Sequence, residues 1–305
     1  MTVVIIIGSG ILLISLFYYI LFFTGNWPKK ADFNIQFDVV RNLCKVSKSE
    51  LPQSINILTI ATGKLPSWAV SAGDFSGSGY NIEFPCFQIV YENKSVIVEV
   101  PFNKYLYNKF SFKQNYFQDS FDLMQKALLE ADIIIPTHEH WDHLGGIAQS
   151  PNLNEIIHKV ILTPEQIKGP TIVDAEFPNH FLSQISPFEY KDYSSIAPGI
   201  VLIKAPGHSV GHQFIYIQLQ NGREFLFTGD VVWVNRNFET CKNCPWIASK
   251  KRLENRHQIS HQMKYLYDNF VDNKNQKIVM VSTHDPKQHK EYIDKGYINE
   301  GLNLN

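Results

Sequence analysis

Four apolar runs in this chain end in histidine or aspartate, and that repeated arrangement restricts the fold more than any other feature. Residues 131–136 lead directly into Thr137-His138-Glu139-His140-Trp141-Asp142-His143-Leu144-Gly145-Gly146. Residues 201–204 precede a segment holding Gly207, His208, Gly211 and His212; 224–227 precede Thr228-Gly229-Asp230; 277–281 precede Ser282-Thr283-His284-Asp285. Open α/β sheets gather their sites just past the carboxyl ends of strands, so these four ends are expected to meet in one cleft. Three imidazoles and two carboxylates crowded into 138–143 are costly as packing. Protonated together they repel, and buried neutral each needs its own hydrogen-bond partner. A metal ion removes both costs, and imidazole with carboxylate suits zinc or another divalent first-row ion. Five histidines and two aspartates are enough for two ions.

The rest of the pattern fits that frame. Residues 55–60, 86–91, 95–100, 133–136, 159–162, 199–204, 214–219, 224–227 and 277–281 read as strands, with 92–94 turning a hairpin. Ile259, Met263, Leu266, Tyr267 and Phe270 share one helical face. Strands interleaved with helices predict a mixed α/β domain over residues 54–305. With 305 residues, 44% of them hydrophobic, and a net charge of −1, the chain is neither a disordered segment nor a disulfide-stapled mini-protein. That balance, with no basic arm, also predicts no nucleic-acid partner. The stretch 102–121 is crowded with aromatics among lysines and asparagines, expected mostly as core packing, with a substrate-cleft lining or a membrane-surface contact as the alternatives.

The N-terminus reads differently. Residues 2–25 carry no charged side chain, and a hydrocarbon slab of about 30 Å needs roughly 20 helical residues, so residues 1–25 are expected to form a single transmembrane anchor. A cleaved signal peptide would want a basic start and a small-x-small cleavage site, both missing here. Gly8-Ser9-Gly10 mimics a dinucleotide-binding turn, but Leu13 stands where the third glycine belongs. Trp27, Lys29 and Lys30 follow the apolar run, so the positive-inside tendency puts the catalytic part on the cytoplasmic side of that membrane. Residues 26–53 read as a linker with a short helix.

The His-x-His-x-Asp-His string with its downstream partners resembles the metallo-β-lactamase-fold hydrolases over roughly residues 55–290. The resemblance implies an αββα sandwich and a two-metal centre, with Zn2+ the expected ion. By it, His138, His140 and His208 hold one metal, Asp142, His143 and His284 the other, and Asp230 bridges them. His140 stands where diiron flavoproteins of the fold carry glutamate, and Asp230 where one lactamase subclass carries cysteine, so both subclasses are disfavoured.

The activity implied is hydrolysis of an ester-like bond by a metal-bridging hydroxide, with Asp142 orienting it and carrying a proton. Residues 207–233 are similar to the lactonase and esterase branch, pointing to a lactone or other acyl ester, small or lipid-like. Acyl-homoserine lactonases carry a tyrosine three residues after the bridging aspartate; here that position is Trp233, whose N–H can donate but offers no phenol. Phosphodiester cleavage of the phospholipase D type is the enzymatic alternative, and a metal-binding sensor without turnover the non-enzymatic one. His212 is a candidate for supporting the ligands. Cys241-Lys242-Asn243-Cys244 has a zinc or redox spacing but no second pair follows it, and His257, His261 and His289 are read as surface or satisfied core residues.

Overall fold

The computed structural model describes residues 2–178, 180–272 and 277–304; the side chains of 2–6 and 8 are outside the description. Its strands are β1 (Ser54–Leu65), β2 (Tyr80–Val90), β3 (Ser95–Val98), β4 (Lys113–Tyr116), β5 (Ile133–Ile135), β6 (Tyr193–Ala197), β7 (Ile200–Lys204), β8 (Gln213–Gln218), β9 (Glu224–Phe227), β10 (Ile278–Val281) and β11 (Asn299–Glu300). One sheet runs β11-β1-β2-β3-β5 with β4 on β1, the other β10-β9-β8-β7-β6.

Alternation along the strands builds the layers, since successive side chains point to opposite faces of a sheet. In β7, Ile200 and Leu202 pack in the core between the sheets, against Ile55, Ile57, Phe87 and Ile89. Val201 and Ile203 point the other way, into a core shared with Ile259, Met263 and Leu266 of the helix Arg256–Leu266. A third core joins the first sheet to the helices Gln118–Glu130 and Trp141–Ala148, through Met124, Leu128, Leu144 and Ile147. The order is helices, sheet, sheet, helices, the mixed α/β sandwich expected above.

Register then aims the functional segments. β9 and β10 are parallel with Phe227 opposite Val281, so the turns after them run side by side, and Thr228 N donates to Val281 O at 3.0 Å. β3 and β5 are parallel with Val98 opposite Ile135, which places Glu99 beside the start of the histidine string. The sheets are tied at the same end, where Gln213 donates from N to Thr137 O (3.0 Å) and from Nε2 to Pro136 O (3.1 Å).

The expected transmembrane anchor is corrected. Among the described residues no helix is long and apolar enough to cross a membrane, and the membrane contact and the cytoplasmic placement inferred from that anchor fall with it. The N-terminal helix runs Thr2–Phe23. Its C-terminal end is committed to the domain instead. Phe22 meets Trp68 edge-on at 5.4 Å, Phe23 meets Phe75 at 5.4 Å, and Gly73 N donates to Phe22 O at 2.9 Å.

Residues 26–53, read as a linker, contribute Ile35, Val40 and Cys44 to the outer core of the second sheet. Lys159–Leu162 contributes only an isolated bridge, Val160 to Ile134. Strand β4 lies within the aromatic stretch, where Phe102, Tyr107 and Phe121 are buried while Tyr105, Phe112 and Phe117 are exposed.

Candidate metal centre

The string 137–143 leaves β5 and enters the helix Trp141–Ala148, with His140 as its N-cap residue. That helix presses close to the chain before it. A Cβ on Gly146 would stand 2.2 Å from Pro101 O, so only glycine lets the helix sit where it carries His143 inward. His208 and His212 sit in the connection between β7 and β8, Asp230 in the turn after β9, and His284 in the turn after β10.

These strand ends bring seven side chains together in two groups. In the first, His138, His140 and His208 are all buried and their donor atoms lie within 4.8 Å of one another. His140 Nδ1 is 2.9 Å from both His138 Nε2 and His208 Nε2. The second group is Asp142, His143, Asp230 and His284, within the same span. His143 Nε2 and His284 Nε2 lie 3.3 and 3.1 Å from Asp230 Oδ1, and both lie 3.7 Å from Asp142 Oδ2. The other oxygen of Asp230, Oδ2, is 3.4 Å from His208 Nε2. Asp230 thus places one oxygen on each group.

The far nitrogens of His138 and His284 are hydrogen-bonded from behind, and those of His143 and His208 each face a carboxylate, without hydrogen-bond alignment. Thr137 Oγ1 donates to Glu99 Oε1 (2.5 Å) and so accepts from His138 Nδ1 (3.0 Å), leaving His138 Nε2 with a lone pair toward the centre. Glu99 Oε2 lies 3.1 Å from His143 Nδ1. His284 Nδ1 donates to Glu83 O at 2.7 Å, and His208 Nδ1 faces Glu254 Oε1 at 3.0 Å. Such partners orient a metal-binding imidazole and raise its basicity.

The donor set fits two divalent cations. His140 Nε2 is buried without a partner, and His143 Nε2 and Asp230 Oδ1 lie close without the alignment of a hydrogen bond. Leaving such groups unsatisfied costs about 1–3 kcal/mol each, a cost that coordination removes. Burial, reinforced by neighbouring imidazoles, holds His138 and His140 well below the usual histidine range, in the neutral form a ligand needs. In the second group burial opposes charge, but Glu99, Asp230 and Asp142 outweigh it and raise His143. Asp230 likewise outweighs burial at His284. Burial would push Asp230 up, yet His284 and His143 hold it well below the carboxylate range. The carboxylates of this group therefore call for positive charge, which a cation supplies.

His212 lies beneath the centre. Its Nδ1 donates to Ala205 O (3.1 Å) and its Nε2 accepts from Asp230 N (3.2 Å), so it holds the Asp230 backbone. Burial, with His208 nearby, pushes its pKa down to about 3, consistent with an acceptor that stays neutral. Trp233 is half-buried, its ring 6.3 Å from that of His208 and 6.2 Å from that of His284.

Three glutamates, Glu99, Glu254 and Glu83, escaped the sequence reading. Glu99 follows β3 as the other site residues follow their strands, and its backbone is left-handed at φ 61°, a strained conformation that clusters at functional sites. That strand-end position was a usable signal. Glu254 lies in an irregular segment far from any strand end, and Glu83 reaches His284 through a backbone carbonyl, so neither leaves a spacing signature. The thiol of Cys244 donates to Glu254 Oε2 at 3.2 Å, and burial pushes its pKa up to about 12, while Cys241 is exposed; both are free thiols.

Comparison with known proteins agrees with this geometry. Residues 118–254 match the Metallo-beta-lactamase superfamily. An N-acyl homoserine lactonase of Bacillus cereus is 32% identical over 110 residues, which cover 35% of this chain and 40% of that protein. The chain thus matches less than half the length of this curated relative. An N-acyl homoserine lactone hydrolase with N-hexanoyl-L-homoserine bound at its catalytic metal centre shares the fold, with a TM-score of 0.58 and 17% identity over 79% of this chain and 96% of the other. A dizinc quorum-quenching lactonase superposes with a TM-score of 0.55 and 13% identity, covering 78% and 90%. Two sheets between helices, a segment from the histidine string to Glu254 that matches the metallo-β-lactamase superfamily of metal-dependent hydrolases, and donors for two cations at the strand ends agree: this chain is similar to that superfamily, and in sequence to its lactonases.

Proposed function

We propose that the protein hydrolyses an ester-like bond, a lactone or other acyl ester, at a dinuclear centre within a catalytic unit spanning residues 54–305. The observation that carries this reading is Asp230, whose two oxygens face His208 on one side and His143 with His284 on the other. His138, His140 and His208 would hold one cation, Asp142, His143 and His284 the second, and Asp230 both. When bound, the cation pair supplies Lewis acidity and acidifies water at neutral pH, with zinc the ion that suits these donors.

The chain's own groups do the rest. Asp142 is the most exposed of the seven, its side chain 17% accessible, so it can exchange a proton with solvent while its neighbours cannot. His212, Glu99 and Glu254 hold the set in place. Trp233 borders both groups and presents a ring and an N–H donor to an entering acyl compound. The lactonases among the relatives favour a lactone.

The test is a panel of acyl lactones, thioesters, phosphodiesters and β-lactams, assayed on full-length protein whose metal content has been measured. Turnover of a lactone or simple ester with about two metals per chain is expected. Loaded protein that leaves every ester intact, or cleaves only phosphodiesters, overturns the proposal.

A further inference from the structure

A second set of metal-binding side chains lies away from the centre. His257 and His261 are four residues apart on the helix Arg256–Leu266, a spacing that puts both imidazoles on one face. Their ring centroids are 4.3 Å apart. Asp32, from the segment that wraps this layer, reaches the same point: its Oδ1 lies 2.6 Å from His261 Nδ1, and its backbone N–H donates to that nitrogen at 3.0 Å, which leaves His261 Nε2 as the nitrogen free for a cation. One donor atom from each of the three falls within 4.8 Å of the others.

Two adjacent imidazoles repel once protonated, and a single carboxylate offsets only one charge. Nothing in the packing requires this pairing, since His257 and Asp32 are exposed and His261 is half-buried. Two imidazoles with one carboxylate form a borderline donor set, suited to zinc, copper or nickel and poorly suited to the all-oxygen preference of calcium or magnesium. The exposed side leaves room for water to complete the coordination.

We propose that Asp32, His257 and His261 form a third metal site, which takes a first-row divalent cation and clamps the N-terminal segment to this helix. The clamp has a path to the centre. Asn255 N donates to Gly207 O (2.7 Å), and Gln262 Nε2 donates to Pro206 O (2.9 Å), so the N-cap and the middle of the helix hold the loop that carries His208. Occupancy would stiffen that support without supplying any group to the reaction, making the site a structural or regulatory one.

The experiment is equilibrium dialysis of full-length protein against buffered Zn2+, with metal counted per chain, beside His257→Ala/His261→Ala and Asp32→Asn. The double variant is expected to bind about one ion fewer at saturation, and Asp32→Asn to hold that ion about tenfold more weakly. Cu2+ titrated into zinc-loaded protein should give a paramagnetic resonance signal with nitrogen couplings in the wild type that is missing from the double variant. Equal zinc counts in wild type and double variant, or copper signals that do not differ, overturn the proposal. The difference between the two proteins is read at this site alone, so it holds whatever the panel of esters shows. Unchanged circular dichroism checks that the variant folds.

Discussion

Glu254 Oε1 lies 3.0 Å from Nδ1 of His208, and this one contact joins an irregular segment to the candidate centre. The carboxylate is almost wholly buried, with its side chain 2% exposed, and Arg252 Nε donates to the same oxygen at 2.7 Å. Ser249 and Cys244 donate to the other oxygen. Burial would raise the pKa of Glu254, but Arg252 and His208 outweigh it and hold the group well below the carboxylate range. The guanidinium of Arg252 also lies over the Trp233 ring at 4.4 Å, so one ion pair steadies both a metal-facing histidine and the residue bordering the entrance.

Replacing Glu254 should therefore loosen His208. Glu254→Gln keeps the shape but removes the charge, and is expected to weaken metal retention at the first group by about 10–100-fold. Competition with a chromophoric chelator measures this directly. Retention equal to wild type would show that the contact does not orient the imidazole.

Asp230 serves both groups, so its loss should be felt by both. Asp230→Asn leaves an amide that cannot offset two cations, and the expected outcome is a lower metal count with turnover falling by more than about 10²-fold. Exposing wild-type protein to a strong chelator should reproduce the loss, and adding zinc should restore the wild type only. Metal analysis alongside ester hydrolysis separates the two effects; a variant with full metal and full rate would remove Asp230 from the centre.

Gly229 tests how tightly the turn before Asp230 is built. Its φ is +49°, and a Cβ there would stand 2.4 Å from His212 Nε2 and 3.0 Å from Thr137 Oγ1. Gly229→Ala must either displace His212 from the Asp230 amide or shift the turn. A loss of about 1–3 kcal/mol in denaturant unfolding is expected, together with weaker metal binding. His212→Ala, which removes the obstacle and the acceptor together, should recover less than the full loss when combined with it.

Away from the centre, Asp74 offers a pH signature. Burial disfavours its ionised form, but hydrogen bonds from Ser76, Arg236 and Tyr80 prevail and bring its pKa down to about 2. A folded-state value below that of an unfolded aspartate stabilises the fold fully above about pH 4, and the contribution is lost as the pH falls toward 2. Asp74→Asn should thus be less stable than wild type at neutral pH, with the gap closing on acidification. Unfolding curves from pH 6 down to 2.5 would show it, and a constant gap would contradict it.

The two levels of description divide the protein in a definite way. Local sequence determined the strands that carry site residues, because β-branched and aromatic runs of four to six residues ending in His or Asp can be recognised without knowing their neighbours. It did not reveal β6, β4 or β11, whose residues are largely exposed or half-buried and carry little hydrophobic alternation. An uncharged, largely apolar run at the N-terminus pointed to a membrane, since hydropathy counts side chains and cannot register that Phe22 and Phe23 end on Trp68 and Phe75. Only the tertiary structure decided that Asp230 faces both groups, that Glu99 and Glu254 stand behind the imidazoles, and that Asp32 meets His257 and His261. Those relationships depend on sheet register and on contacts between residues up to 229 positions apart, and a chain's local pattern holds no distance between such residues.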